Sequence, residues 1–225
     1  MRDSAITGVL PSIGEDRSGL LSGCFVFQEQ YRCRFMIADY QALARCGLRG
    51  DEMGGAIKAT VARLMTAGFD SGRSICFLQS QVPQLFELTT VLNTLVPLAD
   101  LLSKHIRNRR MTPHNPTFGA VGYPVTQVAD ILMFGARRVL GFERHRENID
   151  LARQVGLRFN HEYGEVFQIP EPVFCKETRG AENAVSYSAP NREMIRDILN
   201  LGGSEARICA QQTLERVKEA MGMNY

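Results

Sequence analysis

Apolar residues along the chain fall into short unbroken runs separated by longer stretches that repeat with a helical period. The runs "SAITGVL" (Ser4 to Leu10), "CRFMIADY" (Cys33 to Tyr40), "SICFLQSQVP" (Ser74 to Pro83) and "RRVLGF" (Arg137 to Phe142) are short and β-prone. The second is almost continuously apolar, as expected of a strand covered on both faces. Between the second and third runs, Ile57, Val61, Leu64 and Met65 recur at i, i+4, i+7 and i+8. That spacing predicts an amphipathic helix, which Gly68 ends. Strand, helix and strand in this order form a βαβ unit, so the sheet is expected to be parallel.

Further along, Gln84 to Arg107 reads as one helical tract kinked at Pro97, and "RMTPHNPTFGAVG" reads as loop. A helix on "YPVTQVADILMF" follows, then the fourth strand and a helix over His145 to Gly164. "EVFQIPEP" is extended, and regular pattern is lost from Cys175 to Pro190. A short helix on "NREMIRDILNL" precedes Gly202 and Gly203, which punctuate the chain. Ser204 then caps a final helix that Gly222 closes. The whole predicts a Rossmann-like, doubly wound α/β domain over 1–190 and a short helical appendage over 191–225. Such folds bind ligands at the carboxyl ends of their strands. Here those ends carry "TGVLPS", "ADYQAL", "LQSQVP" and "GFERHREN".

Composition narrows this little. With 44% hydrophobic and 22% charged residues and a net charge of +2, the chain resembles an ordinary globular protein and is not committed to a polyanionic partner. No segment has the length of a membrane span or the make-up of a signal peptide, so no membrane partner and a cytoplasmic location are expected. The six cysteines form no CxxC pair and lie mostly in apolar runs, as buried thiols would. Neither they nor the four histidines show metal-ligand spacing, and no metal is expected.

One residue breaks the apolar pattern. Asp130 sits inside "YPVTQVADILMF", and on a helix it shares a face with Tyr123, Gln127 and Phe134. An ionised carboxylate removed from water is costly unless something hydrogen-bonds to it. The donor is either a protein group or a ligand.

Taken together, "FMIADYQAL", "AGFD", "FLQSQVP", "YPVTQVADIL", "LARQVGLRFN" and "YGEVFQIPEP" closely resemble the catalytic domain of the tryptophanyl-tRNA synthetases, a class I aminoacyl-tRNA synthetase family. The match runs from about Thr7 to Pro172, and "LERVKEAMGM" is similar to the family's last helix. The resemblance implies that Asp130 accepts the indole N–H of tryptophan, with Tyr123 near the ammonium end. It places Ala38 and Asp39 by the same pocket, with Gln41, Gln127 and His145 as further substrate contacts. A buried acceptor without an internal donor selects strongly for a ligand that brings one.

The same resemblance exposes departures in the nucleotide site, which would otherwise be built around Gly8, Arg17, Gly19, Phe142 and Arg144. The phosphate signature H-x-G-H or H-x-G-N aligns with Arg17-Ser18-Gly19-Leu20, so only the glycine is kept. The lysine-rich K-M-S-K-S loop aligns with "AVSYS" and has lost both lysines. The G-x-D-Q segment reads "FERH", with Phe142 for the glycine, Arg144 for the aspartate and His145 for the glutamine. By the same resemblance, most of the helical domain that reads the anticodon is expected to be absent from this sequence. A lost transition-state contact costs about 3 kcal/mol, and several compound. ATP-dependent charging of tRNA is therefore not expected, nor is any cofactor, ATP and magnesium included.

What the sequence supports is a shortened paralogue with a tryptophan- or indole-shaped pocket, acting as a binding protein or pseudoenzyme. The alternative is a repurposed, ATP-independent enzyme of specialised amino-acid metabolism that uses aminoacyl-tRNA or a modified tryptophan. For that role His145 is a candidate base, with Tyr40 and Arg17 as further catalytic candidates. The basic run Lys104 to Arg110 and Arg137, Arg138, Arg144 and Arg146 could track RNA phosphates, though a solvated helix end explains the first more simply. No tRNA contact through the anticodon is expected. The apolar tract Leu85 to Leu102, with apolar residues on more than one face, predicts a homodimer.

Overall fold

The computed structural model describes residues 5–9, 26–46, 50–107, 117–141, 143–174 and 191–224. Their strands form one parallel sheet: β1 (Ala5–Val9), β2 (Arg32–Ile37), β3 (Ile75–Leu78), β4 (Arg138–Gly141) and β5 (Glu171–Phe174), in the order β3-β2-β1-β4-β5. Gly8 on the central strand sits opposite Phe35 on one side and Leu140 on the other. Strand order reverses between β1 and β4, the switch point at which open α/β sheets place ligands. The helices are α1 (Asp39–Cys46), α2 (Gly50–Thr66), α3 (Gln84–Asn93), α4 (Leu98–Arg107), α5 (Phe118–Leu132), α6 (Arg146–Tyr163) and α7 (Arg192–Ala220).

Strand side chains alternate between two cores, because successive residues of a strand point to opposite faces. Met36, Ile75 and Phe77 meet Leu85 and Leu88 of α3, Val128 and Ala129 of α5, and Val155 and Phe159 of α6. On the other face Cys33, Phe35, Ile37 and Cys76 pack with Val61 and Leu64 of α2.

Local structure departs from the sequence expectations in four places. The tract expected to be one kinked helix is two, α3 and α4, separated by Thr94 to Pro97. Helix α5 starts at Phe118 within the expected loop: Thr117 caps it by accepting the Ala120 N–H (3.3 Å), and Pro124 lies inside it. Of "EVFQIPEP" only the end joins a strand, since the Asn160 side chain pins Val166 and Phe167 in an irregular turn.

The last difference is the largest. The two expected C-terminal helices are one, α7, running through Gly202 and Gly203. Its Ile195 and Leu199 belong to the α2-side core, and its Ala206, Ala210, Leu214 and Val217 to the α3–α5 side. Between these halves the helix passes over β3, an outermost strand of the sheet. There a Cβ on Gly202 would collide with the Cys76 carbonyl, 2.7 Å from its carbon. A Cβ on Gly203 would stand 2.7 Å from Gln81 Oε1. The glycines thus act as a close-contact surface between helix and strand. The crossing is pinned by ion pairs from Glu205 to Arg32 and from Lys218 to Glu87 of α3, and by Arg207 donating to the Gln81 carbonyl (3.1 Å).

Candidate functional site

Three elements converge on Asp130. Helix α5 carries Tyr123, Gln127 and Asp130 at i, i+4 and i+7, on its inward face. Strand β2 ends at Ile37, and Ala38 leads into Asp39, the first residue of α1. Strand β3 ends at Leu78, and the chain turns at once into a 3-10 segment, Gln79–Gln81. That turn leaves Gln79 fully buried beneath α5.

The donor to Asp130 is Gln79. Its Nε2 lies 3.0 Å from each carboxylate oxygen and 3.3 Å from the Tyr123 hydroxyl. Sequence reasoning missed this residue, which sits 51 positions from Asp130. The signal that could have found it is strand alternation. Ile75 and Phe77 face the core beneath α5, and Gln79 continues their row. The Asp39 carboxylate is engaged at the mouth of the same strands, accepting the Ser80 (3.0 Å) and Tyr40 (3.1 Å) N–H groups.

Burial dominates the electrostatics. Desolvation pushes the Asp130 carboxyl up to about 8; the Gln79 hydrogen bond opposes the shift and the Asp39 charge adds to it. Asp130 is therefore largely a neutral acid at pH 7. The Gln79 Oε1 is buried with no partner, which costs about 1–3 kcal/mol for a neutral group. Gln127, half-buried between Tyr123 and Asp130 on the helix face, has no hydrogen-bond partner among the described residues. The cluster holds unused hydrogen-bonding capacity against an apolar wall of Val128, Ala129 and Phe77.

The other predicted residues separate into groups. Ala38, Asp39 and Gln41 are buried at the β2–α1 junction. Tyr40 is exposed, its ring edge-on to Phe86 of α3 with centroids 4.9 Å apart. His145 is half-buried at the end of the 3-10 turn Glu143–His145, packed by Gly141 of β4. In sheet order β4 lies beyond β1 from the Asp130 cluster. Gly8 is paired within β1. Arg17, Gly19, Phe142 and the Arg144 side chain lie outside the described residues, as do Ser18, Leu20 and the side chains of the basic run Lys104 to Arg110. Of the expected basic groups, Arg138 is committed to the hydroxyl and ring of Tyr31. Arg146 is committed to Glu143 and the Phe174 ring.

No helix among the described residues is long and apolar enough to cross a membrane. Residues 7–200 match the family described as tRNA synthetases class I (W and Y). A Streptomyces avermitilis protein named tryptophan–tRNA ligase 2 is 29% identical over 188 residues, covering 79% of this chain and 54% of the relative. The Treponema pallidum tryptophan–tRNA ligase is 33% identical over 179 residues, covering 76% of this chain and 53% of the relative. The chain thus spans about half the length of these curated relatives. The crystal structure of tryptophanyl-tRNA synthetase from Campylobacter jejuni complexed with ADP and tryptophan superposes with a TM-score of 0.79 at 18% identity, over 97% of this chain and 99% of that one. Sequence match and shared fold agree: the chain belongs to the class I tRNA synthetases of the tryptophan and tyrosine group, on the tryptophanyl-tRNA synthetase side.

Proposed function

We propose that this chain binds tryptophan or a related indole at the cluster of Asp130, Gln79 and Tyr123, and that it does not carry out ATP-dependent charging of tRNA. The observation that carries the first half is the Gln79–Asp130 pair itself. It is a fully buried carboxyl whose internal donor leaves its own amide oxygen unpaired. An indole N–H supplies what the pair lacks, and Tyr123 and Gln127 stand on the same helix face to meet the rest of the ligand. The C. jejuni relative was crystallised with tryptophan, which is the ligand chemistry this fold is known to accept there. The second half rests on the sequence. Arg17 and Leu20 replace the phosphate-binding pair, Phe142 and Arg144 replace the ribose contacts, and the lysine loop has no lysines. ATP and magnesium are accordingly not cofactors in this reading.

The repurposed-enzyme reading is less well supported. Its candidates are Tyr40, which packs against Phe86 at the surface, and His145, which follows β4 beside the switch point of the sheet. Homodimerisation is part of the proposal. Leu98 and Leu102 on α4, Phe86 on α3 and Phe118 on α5 are exposed apolar groups, at 63%, 43%, 38% and 87%. Calorimetric titration of the purified chain with L-tryptophan, with and without ATP and magnesium, tests both halves. Expected are saturable tryptophan binding, its loss in Asp130→Ala, and no heat from ATP. Absence of tryptophan binding overturns the first half, and clear ATP binding overturns the second.

A further inference from the structure

Across the sheet from Asp130, α2, the end of β3 and the first turns of α7 enclose a cleft of about 850 Å³. Its floor is apolar: Ile57 of α2, Leu78 of β3, and Ile195 and Leu199 of α7. Its rim is cationic. Lys58 follows Gly54 by one helical turn on α2, and Arg192 and Arg196 stand at i and i+4 on α7. None of these three cations has an ion pair among the described residues, and Glu193 is the one carboxylate in the lining. By contrast Arg32, Arg73, Arg146 and Lys218 are each paired with a carboxylate. Gln81 also lines the cleft, and its Oε1 accepts the Leu78 N–H (3.0 Å).

We propose that this cleft is a second binding site, for a small amphipathic anion: an aromatic or aliphatic body carrying a carboxylate or phosphate. The volume is that of a small-molecule pocket. The buried floor takes the apolar body, and the two α7 guanidiniums and the Lys58 ammonium take the charge. Unpaired arginines four residues apart suit a planar or tetrahedral oxyanion better than a single cation would. The site lies on the core that Asp130 does not share, because Ile195, Leu199 and Leu78 belong to the α2 side while Gln79 points to the α5 side.

The probe is 8-anilinonaphthalene-1-sulfonate, an aromatic anion, compared with the uncharged N-phenyl-1-naphthylamine. One sulfonate dye is expected per full-length chain, bound at least about tenfold more tightly than the neutral dye. Arg192→Ala with Arg196→Ala, both exposed positions, is expected to weaken the sulfonate about tenfold or more. Gly54→Phe fills the cleft from a helical position where a Cβ meets nothing within 4 Å, so it abolishes binding with the helical circular dichroism intact. Saturating tryptophan leaves the dye bound. Equal affinity for both dyes, an unchanged affinity in the double variant or in Gly54→Phe, several loosely bound dyes per chain, or displacement by tryptophan would each overturn the proposal.

Discussion

Replacing Asp130 by asparagine removes one ionisable proton from the core and little else, since the two side chains are nearly isosteric. The Asp130 carboxyl titrates at about 8 in the folded chain against an ordinary value of 3.8. Its folded value is raised, so the native state holds a proton that the unfolded chain gives up. Stability from this group is complete below about pH 4 and is lost as pH rises through 8. One proton changes stability by about 1.4 kcal/mol per pH unit while the two states differ fully. Summed from pH 5 to pH 8, the loss is on the order of 3–4 kcal/mol, a large part of the 5–15 kcal/mol that holds an ordinary domain together. The amide introduced by Asp130→Asn cannot titrate, and after a half-turn of either amide it can donate to the Gln79 oxygen that now has no partner. Urea unfolding of wild type and Asp130→Asn at intervals between pH 5 and 8.5 gives the difference directly. Cys33 and Cys76, pushed by burial up to about 11 and about 12, titrate above this range and cancel. The variant should gain on the wild type steadily with pH and be the more stable protein at pH 8. A pH-independent offset between the two curves would refute the buried neutral acid.

Further expectations concern the same pair and the α7 crossing. Indole, which does not itself titrate, should bind about fivefold more tightly at pH 9 than at pH 6, because an N–H donor favours the ionised carboxylate by about 1 kcal/mol; fluorescence titration across that range checks the sign. Gln79→Leu deprives Asp130 of its donor, so its titration should move further up and stability at pH 8 should fall by about 1–3 kcal/mol, read from urea midpoints. Gly202→Ala would help an ordinary helix by about 0.5–1 kcal/mol, yet here the methyl meets the Cys76 carbonyl. A net loss of about 1–3 kcal/mol in thermal or urea unfolding is expected, while Gly54→Ala in α2, with open space around it, should be neutral or stabilising.

How far the sequence could be read depended on the range of the interaction involved. Local periodicity sufficed for β2, β3, α2 and α6, whose apolar spacing is complete within each element. It also picked out Asp130 as a carboxylate on a buried helix face. Gln79 escaped because nothing within a few residues of it names a partner on α5; only the sheet brings them together. The glycines at 202 and 203 were misread for a similar reason. As isolated sequence they look like a helix stop, whereas their small size serves a tertiary contact with β3. The start of α5 was placed too late, at Tyr123, because the loop-like composition before it hid the Thr117 cap, and the helix begins at Phe118. The departures expected in the nucleotide site came only from the resemblance, and Arg17, Gly19, Phe142 and the Arg144 side chain lie outside the described residues.

The path of α7 also bears on how the chain folds. A strand at the rim of a sheet offers unpaired backbone groups to any extended segment that reaches it. Pro172 blunts that tendency at β5, where it removes one N–H. β3 has no proline, and its cover, Arg192–Ala220, arrives far later in the chain than Ile75–Leu78 itself. Closing so long a loop is slow compared with forming the local βα units. In that interval the apolar rim of β3 is open to a second molecule. Damage at the Gly202 crossing should therefore appear first as turbidity during refolding at high concentration, and only then as a lowered unfolding midpoint.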